Sequence, residues 1–425
     1  VYTNSLLSSP WTNAINLTSG IYEALLRPLE NAGGSILQGD LKGARAAFSH
    51  YSGMLQSYKD IWRAAKLTYQ QGDAILDRKF QTIETKGRRG ATISSENYEL
   101  APGSNAAKVT DWVGYYLELP GRLLTSGDEL LKQANYRGRI HASSVNKMLD
   151  QGVERGSQAW KEGLEKDMKN AFAPDGSAAV DRNPMAAEAI EYAREATFTN
   201  SLKDGSYSRI GENLEKFFNA APSLRFMAPF IRTPTNLWRH VGNRFPVLGM
   251  ITKQNAKKWN SGDPRARADI LGRQLFGSAA TWMAYHYATS DVVIKEKNGK
   301  VSVLPRITGK GIQDKAAREL LLATGWQPYS ILMNKGTEEE PKWTYVQYNR
   351  TDPRFFMFGI VADIVEVGKL DPTLDLSDHM LAAFGSAMNN MTDKTYTKGI
   401  SDALELLEDP TGALSLIHIS EPTRL

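Results

Sequence analysis

The sequence predicts a mainly α-helical fold with many helices, in a compact or elongated arrangement, and a small antiparallel β-sheet made of two hairpins. Apolar residues recur every three or four positions over most of the chain, as from Phe48 to Ala65, and this is the spacing of one helix face. Two stretches, 291–304 and 329–348, instead contain short alternating runs that are joined by turn residues, as in β-hairpins.

The composition sets broad limits on domain number and partners. A chain of 425 residues is long enough for two to three domains or for one elongated helical array. The formal net charge is +4, whereas tight nucleic-acid binding usually accompanies a more strongly basic domain. The sequence contains no cysteine, which excludes disulfides and cysteine-ligated metal sites.

We divide the chain into four regions and a tail. A helical N-terminal region, 1–202, is followed by an arginine- and aromatic-rich helical region, 203–290. A region of β-hairpins with a short intervening helix, 291–353, precedes C-terminal helices at 354–413. The tail, 414–425, reads LSLIHISEPTRL, and its back-translation is similar to a transposase-based sequencing adapter. We therefore expect the natural sequence to end where this tail begins and to belong to a longer reading frame.

The N-terminal region begins with a predicted helix that carries apolar residues up to Leu29 and is broken at Asn31–Gly34. Leu41–Gly72 follows as one long helix or two. Its aromatic stripe, from Phe48 to Ala65, is interpreted as core rather than as a base-stacking or cofactor surface, because large residues at helical spacing usually face a core. Lys86–Gly103 is interpreted as a loop, although its KGRR cluster could contact phosphate.

The middle of the N-terminal region is predicted to contain separate helices. Lys108–Leu124 would end near Pro120, because proline disrupts a helix interior. Asp128–Gly138 starts another helix, in which Asp128 and Glu129 are adjacent, so they do not face each other as a catalytic carboxylate pair would. Arg139–Ala171 is predicted to be a long polar helix.

Two further boundaries follow from turn and helix-start residues. Pro184 suits the first turn of a helix that continues to Thr197, because the first turn needs no proline N–H. A domain boundary is predicted within Leu202–Ile210.

Basic and aromatic residues alternate in Glu212–Pro246, and this stretch supplies the candidate contact residues. Such interleaving suits a groove for single-stranded nucleic acid or a membrane interface. The simplest interpretation is a set of short helices, punctuated by prolines, with arginines on the solvent side. The residues that could contact membrane or nucleic acid are Arg225, Phe230, Arg232, Trp238, Arg239 and Arg244.

The next helix is predicted to begin after Asp263-Pro264 and to continue to about Thr289. Its second half, Gln274–Ser290, contains no formally charged residue. It is shorter than the roughly 20 apolar residues of a membrane span, and it includes several polar side chains. We interpret it first as a buried core helix and second as an interfacial membrane segment.

The C-terminal half contains the two predicted hairpins. In Asp291–Leu304, Asn298-Gly299 is a type I′ turn signal between two alternating strands. After the turn ITGKG and a short helix that ends at Gly325, the second hairpin comprises Tyr329–Met333 and Trp343–Tyr348. The two hairpins could join in one sheet. Helices are then predicted at Arg354–Val367, Met380–Met391 and Ile400–Leu407.

The usual signatures of catalysis are missing from the sequence. It contains no phosphate-binding loop, no G-x-G-x-x-G after a strand, no G-x-S-x-G elbow and no H-E-x-x-H. No pair of acidic residues is spaced convincingly for general acid–base catalysis. We therefore predict no catalytic residues, no metal site and no cofactor in this chain.

Four stretches resemble blocks found in large phage proteins, namely internal virion and DNA-ejection proteins of short-tailed phages and the related large polyvalent proteins. The most distinctive is Arg306–Pro353, with ITGKG, GWQPYSI and YVQYNRTDP. The others are FMAPFIRTPTNLWRHVGNRFP at Phe226–Pro246, GDELLKQANYRGRIHA at Gly127–Ala142 and NSLLSSPWTNAINLTSG at Asn4–Gly20. The hairpin Asp291–Leu304 departs from the pattern, because only a short link is expected before ITGKG.

This resemblance implies a non-enzymatic structural region of a virion protein that is packed in the capsid and ejected with the genome. The implied partners are other virion proteins, further copies of the chain, phage DNA and, transiently, the host membrane. The implied locations are the virion and, after ejection, the host cell envelope. Two alternatives stay open: a scaffold region of a polyvalent protein whose enzymatic domain, such as a lytic transglycosylase, lies outside this chain, and a nucleic-acid-binding module.

Overall fold

The computed structural model describes residues 10–77, 93–200, 232–246, 249–250, 252–295, 301–311, 315–337, 340–348 and 355–370. Within these ranges the chain is mainly α-helical with two small antiparallel sheets, which confirms the predicted fold class. The described helices are α1 (Pro10–Leu37), α2 (Leu41–Gln56), α3 (Tyr58–Gln71), α4 (Asn105–Asp150), α5 (Gln158–Asn170), α6 (Pro184–Ala196), α7 (Arg232–Arg244), α8 (Lys253–Asn260), α9 (Pro264–Thr289), α10 (Lys315–Ala323) and α11 (Phe355–Leu370). The described strands are β1 (Asp291–Lys295), β2 (Val301–Pro305), β3 (Ser330–Asn334) and β4 (Trp343–Gln347).

Several predictions fall on residues that the structure does not describe. These are the opening block before Pro10, the KGRR cluster, the domain boundary at 202–210, the Asn298-Gly299 turn, the helices after α11 and the tail.

Helix α1 continues through Asn31–Gly34, so the predicted break is wrong. The reason is a close crossing of α1 with α9. A Cβ at Gly34 would overlap the carbonyl oxygen of Ala268, and a Cβ at Gly272 would overlap that of Glu30. Glycine inside a helical pattern often has such a packing reason. Here it allows two backbones to approach each other.

Helices α2 and α3 are separated by Ser57 alone, and α3 ends at Gly72, whose φ of 77° is left-handed. The predicted burial of the aromatic stripe is wrong, because Phe48, Leu55 and Trp62 are 48%, 73% and 67% exposed. The buried face is instead made mainly of small residues, together with one histidine and one isoleucine. Its members are Ala44, Ala46, Ala47, His50, Gly53, Ile61, Ala64, Ala65 and Thr68.

Helix α4 is the central element, and it passes through Pro120 without ending there. Proline removes one backbone hydrogen bond of the helix, and a contact of α4 with α3 lies two residues further on. Arg122 Nη1 donates to the carbonyl oxygens of Tyr69 (3.2 Å) and Gln70 (2.8 Å) at the end of α3. The predicted polar helix of residues 139–171 is two helices, α4 and α5.

The main core lies between α4 and α6. Tyr136 and Ile140 of α4 are fully buried against Ile190 of α6. Helix α6 starts as predicted, since Asn183 caps it by accepting the N–H of Met185 (3.0 Å) and Pro184 follows. Small alanines on α6 complete this interface: Ala186, Ala189 and Ala193.

Helix α9 begins as predicted after Asp263, whose side chain accepts the N–H of Arg265 at 3.0 Å. Its uncharged half is not a buried core helix. Ala284 and Ala288 are buried, whereas Trp282 on the other side is 69% exposed. Among the described helices, none is long and apolar enough to cross a membrane.

The two hairpins form separate sheets that pack together, and their strands lie where predicted. They share one apolar cluster of Val292, Trp326, Leu332 and Tyr345. Gly325, with a φ of 88°, follows α10 in the predicted C-terminal position. Helix α11, predicted at Arg354–Val367, packs against α9 and the second hairpin.

The register of the first hairpin differs from the prediction. Lys295 lies opposite Val301. A two-residue turn at Asn298-Gly299 in a regular ladder would instead place Glu296 opposite Val301. The described strands are therefore one residue out of register with the predicted turn.

Candidate functional site

The predicted contact residues lie on or before α7. Arg225 and Phe230 are outside the described residues, as are the side chains of Arg232 and Trp238. Arg239 and Arg244 are only 4% and 3% exposed. Their burial keeps these two arginines, in this structure, away from a surface that contacts lipid or nucleic acid, and Arg244 is paired with carboxylates inside the protein.

Arg244 is held by carboxylates of α1. Its Nε and Nη2 donate to the two carboxylate oxygens of Glu30, each at 2.7 Å, in a bidentate pair. Nη2 also lies 3.5 Å from Glu23, and Nη1 lies 2.8 Å from His240 Nδ1. His240 Nε2 is in turn 3.0 Å from Glu23. Two acidic and two basic side chains therefore join α7 to α1.

A second group of charges joins α1, α6 and α9. Arg273 Nη1 lies 2.7 Å from Glu195, and Arg273 Nη2 lies 2.7 Å from Asp269. Arg27 pairs with Glu195 and donates from Nη1 to the carbonyl oxygen of Tyr192 (2.6 Å). Its guanidinium carbon lies 4.0 Å from the centre of the Tyr192 ring, which is a cation–π distance. We call these eight side chains, Glu23, Arg27, Glu30, Glu195, His240, Arg244, Asp269 and Arg273, the buried ionic network.

Neighbouring opposite charges shift the pKa values of three groups in this network so that these groups stay ionised. Burial alone would raise the pKa of Glu195, but the guanidinium groups of Arg27 and Arg273 outweigh it and hold the pKa well below its usual value. The pKa of Asp269 is likewise lowered, because Arg273 and Lys258 outweigh its burial. The pKa of Arg273 is raised against its burial by the same carboxylates. These groups stay ionised and are not poised to exchange protons near neutral pH.

His50 of α2 lies beside the network, but its surroundings favour the neutral form of its side chain, not the charged one. Burial, together with the positive charges of Arg139 and Arg27, lowers the pKa of His50 to about 3. Its ring lies 5.4 Å from that of Tyr192. A Cβ at Gly138 would overlap the ring, so α4 contacts it directly. His50 is therefore a neutral packing residue.

The acidic residues of the Gly127–Ala142 block have separate partners. Glu129 accepts the backbone N–H groups of Ile75 (3.2 Å) and Leu76 (3.0 Å), and burial raises its pKa. Asp128 pairs with Lys132 at 2.9 Å. The two carboxylates therefore contact different parts of the fold. Glu129 fixes the chain that follows α3.

The ITGKG turn is bound by carboxylates of α11. The N–H groups of Gly309 and Gly311 donate to the two oxygens of Glu366, at 2.7 and 2.9 Å. The N–H of Lys310 donates to Asp363 at 2.6 Å. Successive backbone N–H groups often form a concave anion site. Here the anion is the protein's own, and burial raises the pKa of Glu366.

These arrangements tie helices together through paired charges and hydrogen bonds to the backbone. Their charged groups have each other as partners. Within the described ranges, no group of three or more histidine, aspartate or glutamate residues is placed to hold a metal ion. Of the network, the sequence pattern singled out only Arg244, and as a residue that could contact membrane or nucleic acid. A usable signal existed in α1, where Glu23, Arg27 and Glu30 share one face at spacings of four and three.

Comparison with protein-family models, curated proteins and solved structures finds no match to this chain.

Proposed function

We propose that this chain is a non-enzymatic structural region of a phage virion protein, packed in the capsid and ejected with the genome to assist DNA passage through the host envelope. The partners in this proposal are other virion proteins, further copies of the chain and phage DNA. The proposal rests on the resemblance of four sequence blocks and on what their residues do in the fold.

The supporting observation is that the blocks contain the residues that connect separate elements. In Gly127–Ala142, Glu129 fixes the chain after α3, and Tyr136 lies in the main core. In Phe226–Pro246, Arg244 pairs with Glu30 across 214 positions of sequence. The ITGKG turn of Arg306–Pro353 is bound to Glu366. Residues that hold a fold together, rather than residues that surround a reactive group, are what a structural region requires.

The test uses the phage whose genome carries the full gene. Particles are purified by density gradient, treated with protease while intact, and analysed by peptide mass spectrometry. We expect peptides from residues 10–370 in the particles, protected until the capsids are opened and depleted from particles after ejection in vitro. Peptides found in infected cells but absent from purified particles would contradict the proposal.

A further inference from the structure

The outer face of α2 and α3 carries a regular alternation of apolar and basic residues. One apolar or aromatic residue recurs every seven positions: Leu41, Phe48, Leu55, Trp62 and Tyr69. Midway between them lie Arg45, Ser52, Lys59 and Lys66. A repeat of seven keeps residues on one side of consecutive helices, since two turns take about seven residues. We call these nine residues the α2–α3 seam.

The seam faces solvent along its length. Apart from the half-buried Tyr69, all of its members are exposed. It is also basic, because residues 41–71 contain five lysines and arginines and one acid, Asp60, which gives a formal charge of +4. The charge of these two helices thus equals the net charge of the whole chain. Large exposed apolar groups in a regular array mark an interaction surface.

Tight packing on the opposite face keeps the large residues outside. A Cβ at Gly53 would overlap His141 of α4, and a Cβ at Gly138 would overlap His50. At each of these two points a glycine faces a histidine ring, and not even a methyl group could be added. Rotating α2 to bury Phe48 would bring a further ring into this contact, so the exposure of the seam on α2 follows from the fold.

The aromatic surface continues from the seam onto α4. The hydroxyl oxygens of Tyr69 and Tyr115 are 3.5 Å apart. Beside Tyr115, the rings of Trp112 and Tyr116 are 4.5 Å apart at their centres, and both residues are exposed. The aromatic rings thus extend beyond the end of α3.

We propose that the α2–α3 seam and its aromatic extension bind single-stranded nucleic acid. Unpaired bases stack on the exposed rings, and the interleaved lysines and arginines pair with phosphates. This function goes beyond a purely structural role of the chain.

Two other occupants fit the pattern less well. A helix that packs on the seam would need apolar residues at both sets of alternating positions. In the seam one of the two sets is polar: it consists of Arg45, Ser52, Lys59 and Lys66. A helix lying in a membrane interface needs a contiguous apolar face. Tyr58 and Leu67 add exposed apolar surface beside the seam, but Arg45, Lys59 and Lys66 interrupt the apolar residues along it.

The test measures binding of a fluorescent 20-nucleotide oligo-dT to the full chain by anisotropy, over a series of salt concentrations. We expect salt-sensitive binding. The log–log slope would reach about −3.5 if the five basic residues of α2 and α3 each pair with a phosphate, at about −0.7 per contact. Lys59→Gln and Lys66→Gln should each make the slope shallower by about 0.7.

Trp62→Ala should weaken binding about five- to 100-fold and leave the slope unchanged, because it removes stacking and no charge. Trp282→Ala is the matched control, since Trp282 is equally exposed on α9. It should bind oligo-dT like the parent. Duplex DNA should bind at least about tenfold more weakly than oligo-dT, because its bases are already stacked.

Three results would overturn the proposal. One is equal binding of duplex and oligo-dT that Trp62→Ala does not change, which indicates attraction to any polyanion. Another is an equal loss of affinity in Trp62→Ala and Trp282→Ala. The third is binding to phosphatidylglycerol vesicles without binding to oligo-dT, which would make the seam a membrane surface.

Discussion

The pair of Arg244 and Glu30 gives the sharpest test of the buried ionic network. Both side chains are 3% exposed and are joined by two hydrogen bonds of 2.7 Å. Arg244→Met removes one partner and leaves a buried carboxylate without its counter-charge. Removing one partner of a buried pair typically costs about 3–5 kcal/mol. We expect a loss of this size in the free energy of unfolding.

The double variant Glu30→Met/Arg244→Met should be much less destabilised than the single one. It removes both charges, and replacing a whole buried pair by apolar residues is often close to neutral. Glu23 keeps His240 as a partner at 3.0 Å. We therefore expect the double variant to recover at least half of the loss, measured by urea unfolding followed by far-UV circular dichroism.

Arg63→Met is the matched control for this experiment. Arg63 pairs with Asp60 at 3.6 Å on the surface, where its side chain is 75% exposed. Exposed pairs contribute about 0–1 kcal/mol, so this variant should resemble the parent. If Arg244→Met were no more destabilised than Arg63→Met, the reasoning about the network would be refuted.

Three further predictions concern His50, a helix crossing and the ITGKG turn. Lowering the pH from 7 to 5 should cost about 2 kcal/mol of stability through His50, because its folded pKa of about 3 lies below the unfolded value of 6.5 and only the unfolded chain gains the proton. Urea unfolding at both pH values should show this loss reduced in His50→Gln, and an unreduced loss would contradict the assignment. Gly272→Ala should destabilise the protein by about 3 kcal/mol, since the added Cβ would overlap the backbone of Glu30. Gly127→Ala is its control, because the added Cβ meets only Leu17 at 3.9 Å. Thermal melting should show this control to be as stable as the parent or more stable. In Glu366→Gln one N–H of the turn loses its acceptor, because the amide has only one oxygen. Amide hydrogen exchange at Gly309 or Gly311 should therefore speed up about tenfold or more. Unchanged exchange would show that the carboxylate does not hold the turn.

The periodicity of apolar residues predicted most helices and strands, but it did not predict which face of a helix is buried in the core. In α2 and α3 the large residues form one stripe and the alanines another, and both have helical spacing. Hydrophobicity alone favours burying the rings. On α2 the opposite outcome depends on α4, where Gly138 leaves room for the His50 ring and for no added methyl group. Gly138 lies 88 positions after His50, so this constraint has no local signal in the sequence.

The same limit applies to the predicted contact arginines. Interleaved arginines and aromatic residues indicate a surface that binds lipid or nucleic acid only if no buried acidic residue pairs with the arginines. Arg244 meets Glu30, which lies 214 positions earlier in the sequence. Tertiary packing also overrode local propensity at Pro120, where the hydrogen bonds of Arg122 to α3 support a helix that proline alone would end.

Arg239 and Arg244 of α7 lie inside the fold, whereas the basic residues of the seam are proposed to act on its surface. The most direct measurement compares oligo-dT affinity for Arg244→Gln and Lys59→Gln at a temperature where circular dichroism shows both variants folded. We predict parental affinity and salt slope for Arg244→Gln, and weaker binding with a shallower slope for Lys59→Gln. Reduced binding by folded Arg244→Gln, with Lys59→Gln unchanged, would contradict the claim.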